Sequence, residues 1–221
     1  MSTVKAKPLP THRLVLDYVD WRTYGKFLRL LSDRPAVHLT YDRGTLEIMT
    51  LSHHHESYGY ILARFIDALT EELSLPVKGG RSTTFRRRKR KRGLEPDSCW
   101  WITNEALVRG KREIDLRIDP PPDLALEVDI THSSLDRLEI YAALGVPEVW
   151  RWEKDSLVCH LLDDKGEYSV SSMSRVISGF PPKEMAMFYL QRANMEENAL
   201  IREFRSWVQQ QAIAGRFVQK Q

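Results

Sequence analysis

The stretch from Asp123 to Ile130, Asp-Leu-Ala-Leu-Glu-Val-Asp-Ile, constrains this chain more than any other. Pro120-Pro121-Pro122 stands before it and forces an extended lead-in. Leu124, Ala125, Leu126 and Val128 are nearly continuous apolar residues. Such a run marks a strand buried on both faces, inside a sheet covered by helices. Yet this strand carries Glu127 and Asp129, two apart and so on one face. Buried like charges are costly unless they are paired or a cation lies between them. A purely structural reading stands beside this one, in which Asp129 caps the next helix and Glu127 pairs with an arginine.

The flanks extend the pattern. Thr131 to Ser134 opens a helix whose Leu135, Leu138, Tyr141, Ala142 and Leu144 are spaced for burial, and Gly145 closes it. Val146 to Trp152 is a second strand. Strand, helix and strand together predict a parallel pair with a right-handed crossover. Ser156 to Leu162 is a further strand. Upstream, Asp20 caps a helix over Trp21 to Leu31, and Val37–Tyr41 and Thr45–Met49 form a hairpin about Asp42-Arg43-Gly44. Ser52 caps a long helix ending near Leu73. Ser82–Phe85 and Ser98–Thr103 read as short strands, and the first dozen residues as loosely ordered. After Gly179 the chain reads helical to its end, with Glu196–Gln211 amphipathic and packed on the domain or on a second copy. The fold class is α/β: a mixed central sheet flanked by helices, with an N-terminal hairpin and a C-terminal helical tail. Residues 1–180 form the domain, with its core at about 37–170, and 181–221 a helical extension.

No apolar run approaches the roughly 18 residues that span a bilayer, and the first ten lack the apolar stretch of a secretory signal. Cys99 and Cys159 lack metal-ligand spacing and read as small buried residues. These features point to a cytoplasmic protein without a membrane partner. Net charge is only +3, but Arg86, Arg87, Arg88, Lys89, Arg90, Lys91 and Arg92 form an unbroken basic run. Such a run is a solvated loop or a contact for the phosphates of nucleic acid.

A metal site for phosphate chemistry needs a further carboxylate from another strand. Asp97 is placed to supply it, behind the stiff Pro96 and before the Ser98 strand. Carboxylate oxygens suit Mg²⁺, or Mn²⁺. A protein cation must then steady the developing charge, and Arg137 and Lys111 are the candidates. Trp100-Trp101 and Trp150-x-Trp152 read as core packing rather than as platforms for bases.

Three blocks carry a resemblance: Leu94-Glu95-Pro96-Asp97, Pro121 to Thr131, and Ile140 to Trp150. Together they resemble the Uma family of bacterial restriction-endonuclease-like proteins, whose fold is similar to that of the PD-(D/E)xK nuclease superfamily. The resemblance runs from about Val37 to Tyr168. It implies a metal-dependent endonuclease acting on DNA, with Asp97 at the superfamily's proline–aspartate position and Glu127 as its second acid. Asp129 stands where the superfamily has lysine, and Arg137 matches a basic position in the family's next helix. The helix start at His53-His54-His55-Glu56 also resembles the family. It implies Glu56 as a third metal ligand, with His55 as its neighbour. Arginine binds phosphate but keeps its proton near neutral pH. The alternative is therefore a catalytically weak or inactive nucleic-acid-binding module of the same fold. A homodimer is a further expectation, because cutting both strands of a duplex suits two-fold symmetry.

Overall fold

A computed structural model describes residues 12–217 except 35, 82, 131 and 132. The expectations for residues 1–11, Ser82 and Thr131 fall outside the described residues.

Two sheets organise the chain. The first joins β1 (His12–Leu16), β2 (Val37–Asp42), β3 (Thr45–Thr50), β5 (Phe85–Arg87) and β6 (Arg92–Leu94), all antiparallel, in the order β1-β3-β2-β6-β5. The second joins β4 (Lys78–Gly79), β7 (Ser98–Trp101), β8 (Leu124–Val128), β9 (Glu148–Glu153), β10 (Ser156–Leu162) and β11 (Tyr168–Ser171), in the order β11-β10-β9-β8-β7-β4. Among the described residues β8 and β9 make its one parallel pair, as the intervening helix predicts. Among the described residues six α-helices flank the sheets: α1 (Trp21–Leu30), α2 (His53–Glu72), α3 (Glu105–Val108), α4 (Arg137–Leu144), α5 (Pro182–Leu190) and α6 (Glu197–Ile213). The chain is thus mixed α/β, as expected, with the hairpin in the antiparallel sheet and the parallel β8–β9 pair in the mixed one. The hairpin turn uses positive φ at Arg43 (48°) and Gly44 (116°).

Caps set the helix ends. The Thr23 N–H donates to Asp20 Oδ1 at 2.7 Å, and the His55 N–H to Ser52 Oγ at 3.2 Å. The helix after β8 starts later than Thr131–Ser134. Asp136 is its N-cap, accepting from the Glu139 N–H at 3.1 Å, and Gly145 ends it with φ 83°. Residues 133–136 are instead a loop on the rim of the site.

β8 divides its side chains as a two-sided strand must. Leu124, Leu126 and Val128 enter a core with Phe65, Trp150, Trp152, Phe180, Leu200 and Phe204. Ala125 turns the other way, toward Trp101, Ile140, Tyr141 and Leu144. Each large apolar side chain so buried contributes roughly 1.5–3 kcal/mol. The C-terminal helices pack on the domain: Phe204 meets Phe65 edge-on, with ring centroids 4.8 Å apart. All four tryptophans of the two aromatic pairs are buried in these cores, as expected, and Cys99 and Cys159 are free and buried. Among the described residues no helix is long and apolar enough to cross a membrane.

Candidate active site

Strand register gathers the acids. Ser98 pairs with Leu126 across the antiparallel β7–β8 ladder, so the preceding Asp97 comes abreast of Glu127 and Val128. The Val128 N–H donates to Asp97 Oδ2 at 2.7 Å. Glu127 and Asp129 share the α4 side of β8 and line one cavity of about 330 Å³ with Asp97, His55, Asp136, Arg137, Tyr141 and Arg151. Asp97, Glu127 and Asp129, expected from the sequence to lie together, line this one cavity.

Glu127 is already held. Arg137 grips it with both arms, Nε to Oε2 at 2.8 Å and Nη2 to Oε1 at 2.6 Å, and the Tyr141 hydroxyl donates to Oε1. The same guanidinium donates to Thr40 Oγ1 at 2.7 Å and to the Glu95 carbonyl at 2.8 Å. Burial works against the charge of Arg137, but Glu127 more than offsets it and the guanidinium stays charged. The arginine pairing of the structural reading is therefore present at Glu127. Asp129 does not cap α4. It pairs with Arg151, which stands opposite Glu127 in the parallel register.

Asp97 lies between two imidazoles. His38 Nδ1 is 3.9 Å from its Oδ1 and His55 Nε2 is 3.7 Å from its Oδ2. His55 Nε2 also contacts the Val128 carbonyl at 2.7 Å, which ties the start of α2 to the end of β8. His38 Nδ1 is buried and has no hydrogen-bond partner among the described residues. Burial, then the charge of Glu127, pushes the Asp97 carboxyl well above the usual carboxylate range, against the pull of Arg137 and the Val128 N–H. Burial, then Arg137, lowers His38 to about 3, and burial also lowers His55.

Glu56 sits elsewhere. It is exposed at the start of α2 and is not among the residues lining the cavity, although its charge reaches Asp97 and His55. Adjacent helical residues point about 100° apart, so turning His55 inward turns Glu56 out. Lys111 also lies away from the cavity, paired with Asp119. The cavity's described cations are Arg137 and Arg151, with no lysine.

Among the described residues no three His, Cys, Asp or Glu side chains form a ready-made cage for a metal. The donor chemistry nevertheless fits a hard divalent cation. Asp97, Glu127 and Asp129 supply carboxylate oxygens to one cavity, and Asp97 Oδ1 faces a histidine nitrogen that has no hydrogen-bond partner among the described residues.

Sequence reasoning missed several supports. Glu47 of β3 is buried and accepts from Ser133 Oγ at 2.7 Å, from the Ser134 N–H at 2.9 Å and from Ser134 Oγ at 2.5 Å, fixing the cavity rim. Glu95 accepts from Thr84 Oγ1 at 2.6 Å, and its carbonyl accepts from Arg137. The signal for Glu47 was a lone acid in the apolar hairpin strand Thr45–Thr50.

The basic run is a folded hairpin, not an open loop. Arg86 and Arg87 lie on β5, Arg88–Arg90 form a 3-10 turn, Lys91 has φ 50°, and Arg92 starts β6. Arg92 is spent on structure, donating to Asp42 Oδ1 and Glu139 Oε2, both at 2.7 Å. Arg86, Arg88, Lys89, Arg90 and Lys91 are exposed.

No curated protein is significantly similar to the chain. A family model, Uma2, described as "Putative restriction endonuclease", matches residues 24–183. That span holds Asp97, Glu127, Asp129, Arg137 and both sheets except β1, and on it the chain belongs to the Uma2 family, with a restriction-endonuclease-like fold and a nuclease-like function.

Proposed function

We propose that the chain is a metal-dependent endonuclease that hydrolyses phosphodiester bonds in DNA. The observation that carries this reading is the placement of Asp97 abreast of Glu127, in one cavity with Asp129. Asp97 and Glu127 would hold Mg²⁺ or Mn²⁺, with Asp129 on the same wall and Glu56 adding charge from outside. With a divalent cation held there, the site would supply Lewis-acid polarisation of a phosphoryl oxygen and a lowered pKa for an attacking water.

The chain's own residues prepare that place. Arg137 and Tyr141 fix the Glu127 carboxylate, and His55 fixes the backbone of Val128 beside Asp97. Arg151 brings a guanidinium to the cavity wall, where it meets phosphate oxygens. The exposed part of the basic run holds the backbone without reading bases. Two copies about a two-fold axis would present two such cavities to a duplex.

The test is cleavage of plasmid DNA and of RNA by the purified chain in Mg²⁺, in Mn²⁺ and in chelator. Metal-dependent cleavage of DNA that Asp97→Ala abolishes supports the reading. Cleavage that survives the substitution removes Asp97 from the role.

The second reading, a nucleic-acid-binding module without cleavage, is favoured by the clamp of Arg137 on Glu127 and by Asp129 in the lysine position. Binding that persists in chelator, with no cleavage in either metal, would select it.

A further inference from the structure

A second cavity, of about 1850 Å³, shares no lining residue with the acidic one. β7 shows the separation: Ser98 leads from Asp97, whereas Trp101, at the strand's far end, lines the groove with Lys78 and Gly79 of β4. Its walls come from α1, the β4–β5 connection, β5 with its turn, and the loop 111–117.

The charge of this groove is one-sided. Arg29, Arg81, Arg86, Arg88, Lys89 and Arg112 line it, all exposed, and none is held in an ion pair among the described residues. Its acids are few: Glu113, and Asp115, which already pairs with Arg117. Two other cations are consumed by the fold, Lys78 on the backbone carbonyls of Val108 (2.8 Å) and Lys111 (2.5 Å), and Lys111 on Asp119. Arg87 also lines the groove, half-buried, and its Nε has no hydrogen-bond partner among the described residues. Free cations contributed by four separate segments suit a ligand whose negative charges repeat along its length.

We infer that this groove is a phosphate-tracking site for a nucleic-acid strand, built from residues other than those of the acidic cavity, so that the chain grips its substrate with side chains separate from those at the bond it cuts. The inference rests on the nuclease reading for the identity of the polyanion, but not on catalysis.

The test is fluorescence anisotropy with labelled DNA, single-stranded and duplex, over a series of salt concentrations in chelator. The groove double variant Arg88→Glu/Lys89→Glu is compared with Lys165→Glu/Lys183→Glu, the same charge change on exposed residues outside the groove. Arg112→Ala on the opposite wall guards against a misfolded turn, and circular dichroism checks the fold of each. Neutralised phosphates release counterions at about 0.7–0.9 per contact. The groove double variant is expected to bind about tenfold or more weakly and to reduce the log–log salt slope by about 2, and Arg112→Ala by about 1. The control pair is expected to bind as the wild type. The stronger of the two DNA forms identifies the strand the groove takes. Binding and slope unchanged in both groove variants overturn the inference, as does equal affinity for polyglutamate. Groove-dependent binding without any cleavage supports the groove while removing the nuclease reading; intact cleavage with groove-independent binding overturns the groove alone.

Discussion

Arg137 holds Glu127 through two parallel hydrogen bonds, Nε–Oε2 at 2.8 Å and Nη2–Oε1 at 2.6 Å, in a place where only about a tenth of either side chain is exposed. The pair joins α4 to the central strand of the second sheet, and through Thr40 and Glu95 it reaches the first sheet as well. The second acid of the site is thereby a structural member.

Removing one partner of such a buried pair strands the other charge. Arg137→Met should destabilise the protein by about 3–5 kcal/mol, and Arg137→Met with Glu127→Gln together by clearly less. Urea unfolding of the two single variants and the double variant measures this. Additive losses would show that the pair carries no coupling.

Glu47 offers a way to disturb the rim without touching the acids. Glu47→Ala leaves the Ser133 and Ser134 donors without their acceptor and should cost about 1–3 kcal/mol. Glu47→Gln keeps one acceptor oxygen and should cost less. DNA cleavage should fall in the same order, because the rim loop leads into Arg137. Cleavage at the wild-type rate in Glu47→Ala would detach the rim from function.

His38 should make the fold acid-sensitive. Burial lowers it from 6.5 to about 3, so between those values the unfolded chain takes a proton that the folded chain refuses. Its stabilising contribution is complete above pH 6.5 and is lost as pH falls toward 3. At about 1.4 kcal/mol per pH unit, the loss from this group at pH 5 is about 2 kcal/mol. His38→Gln should therefore lose about 2 kcal/mol less than the wild type between pH 7 and pH 5. Denaturant titrations at the two pH values decide it, and parallel losses would clear His38.

The acids were legible because period and register are simple rules. A strand apolar on both faces that carries two acids two residues apart declares them at once, and Pro96 pointed to Asp97. The helix start after β8 was misplaced because Thr131–Ser134 offers capping residue types, while Asp136 makes the cap bond. β11 was not read, since Tyr168–Ser171 is short and half exposed. His38, Tyr141 and Arg151 reach the site only through strand pairing and packing between distant segments, which no local pattern encodes. The basic run looked continuous, yet the hairpin sends Arg92 to Asp42 and Glu139 and leaves Arg88 and Lys89 in the groove.

In the proposed nuclease, Asp97 and Glu127 share a divalent cation although Arg137 already grips Glu127. A crystal structure of the chain grown with Mn²⁺, with anomalous diffraction locating the ion, tests this most directly. A peak is expected at about 2.1 Å from an oxygen of Asp97 and an oxygen of Glu127, lost in Asp97→Asn. Glu127 still bound by both arms of Arg137, with no ion beside Asp97 at saturating Mn²⁺, would contradict it.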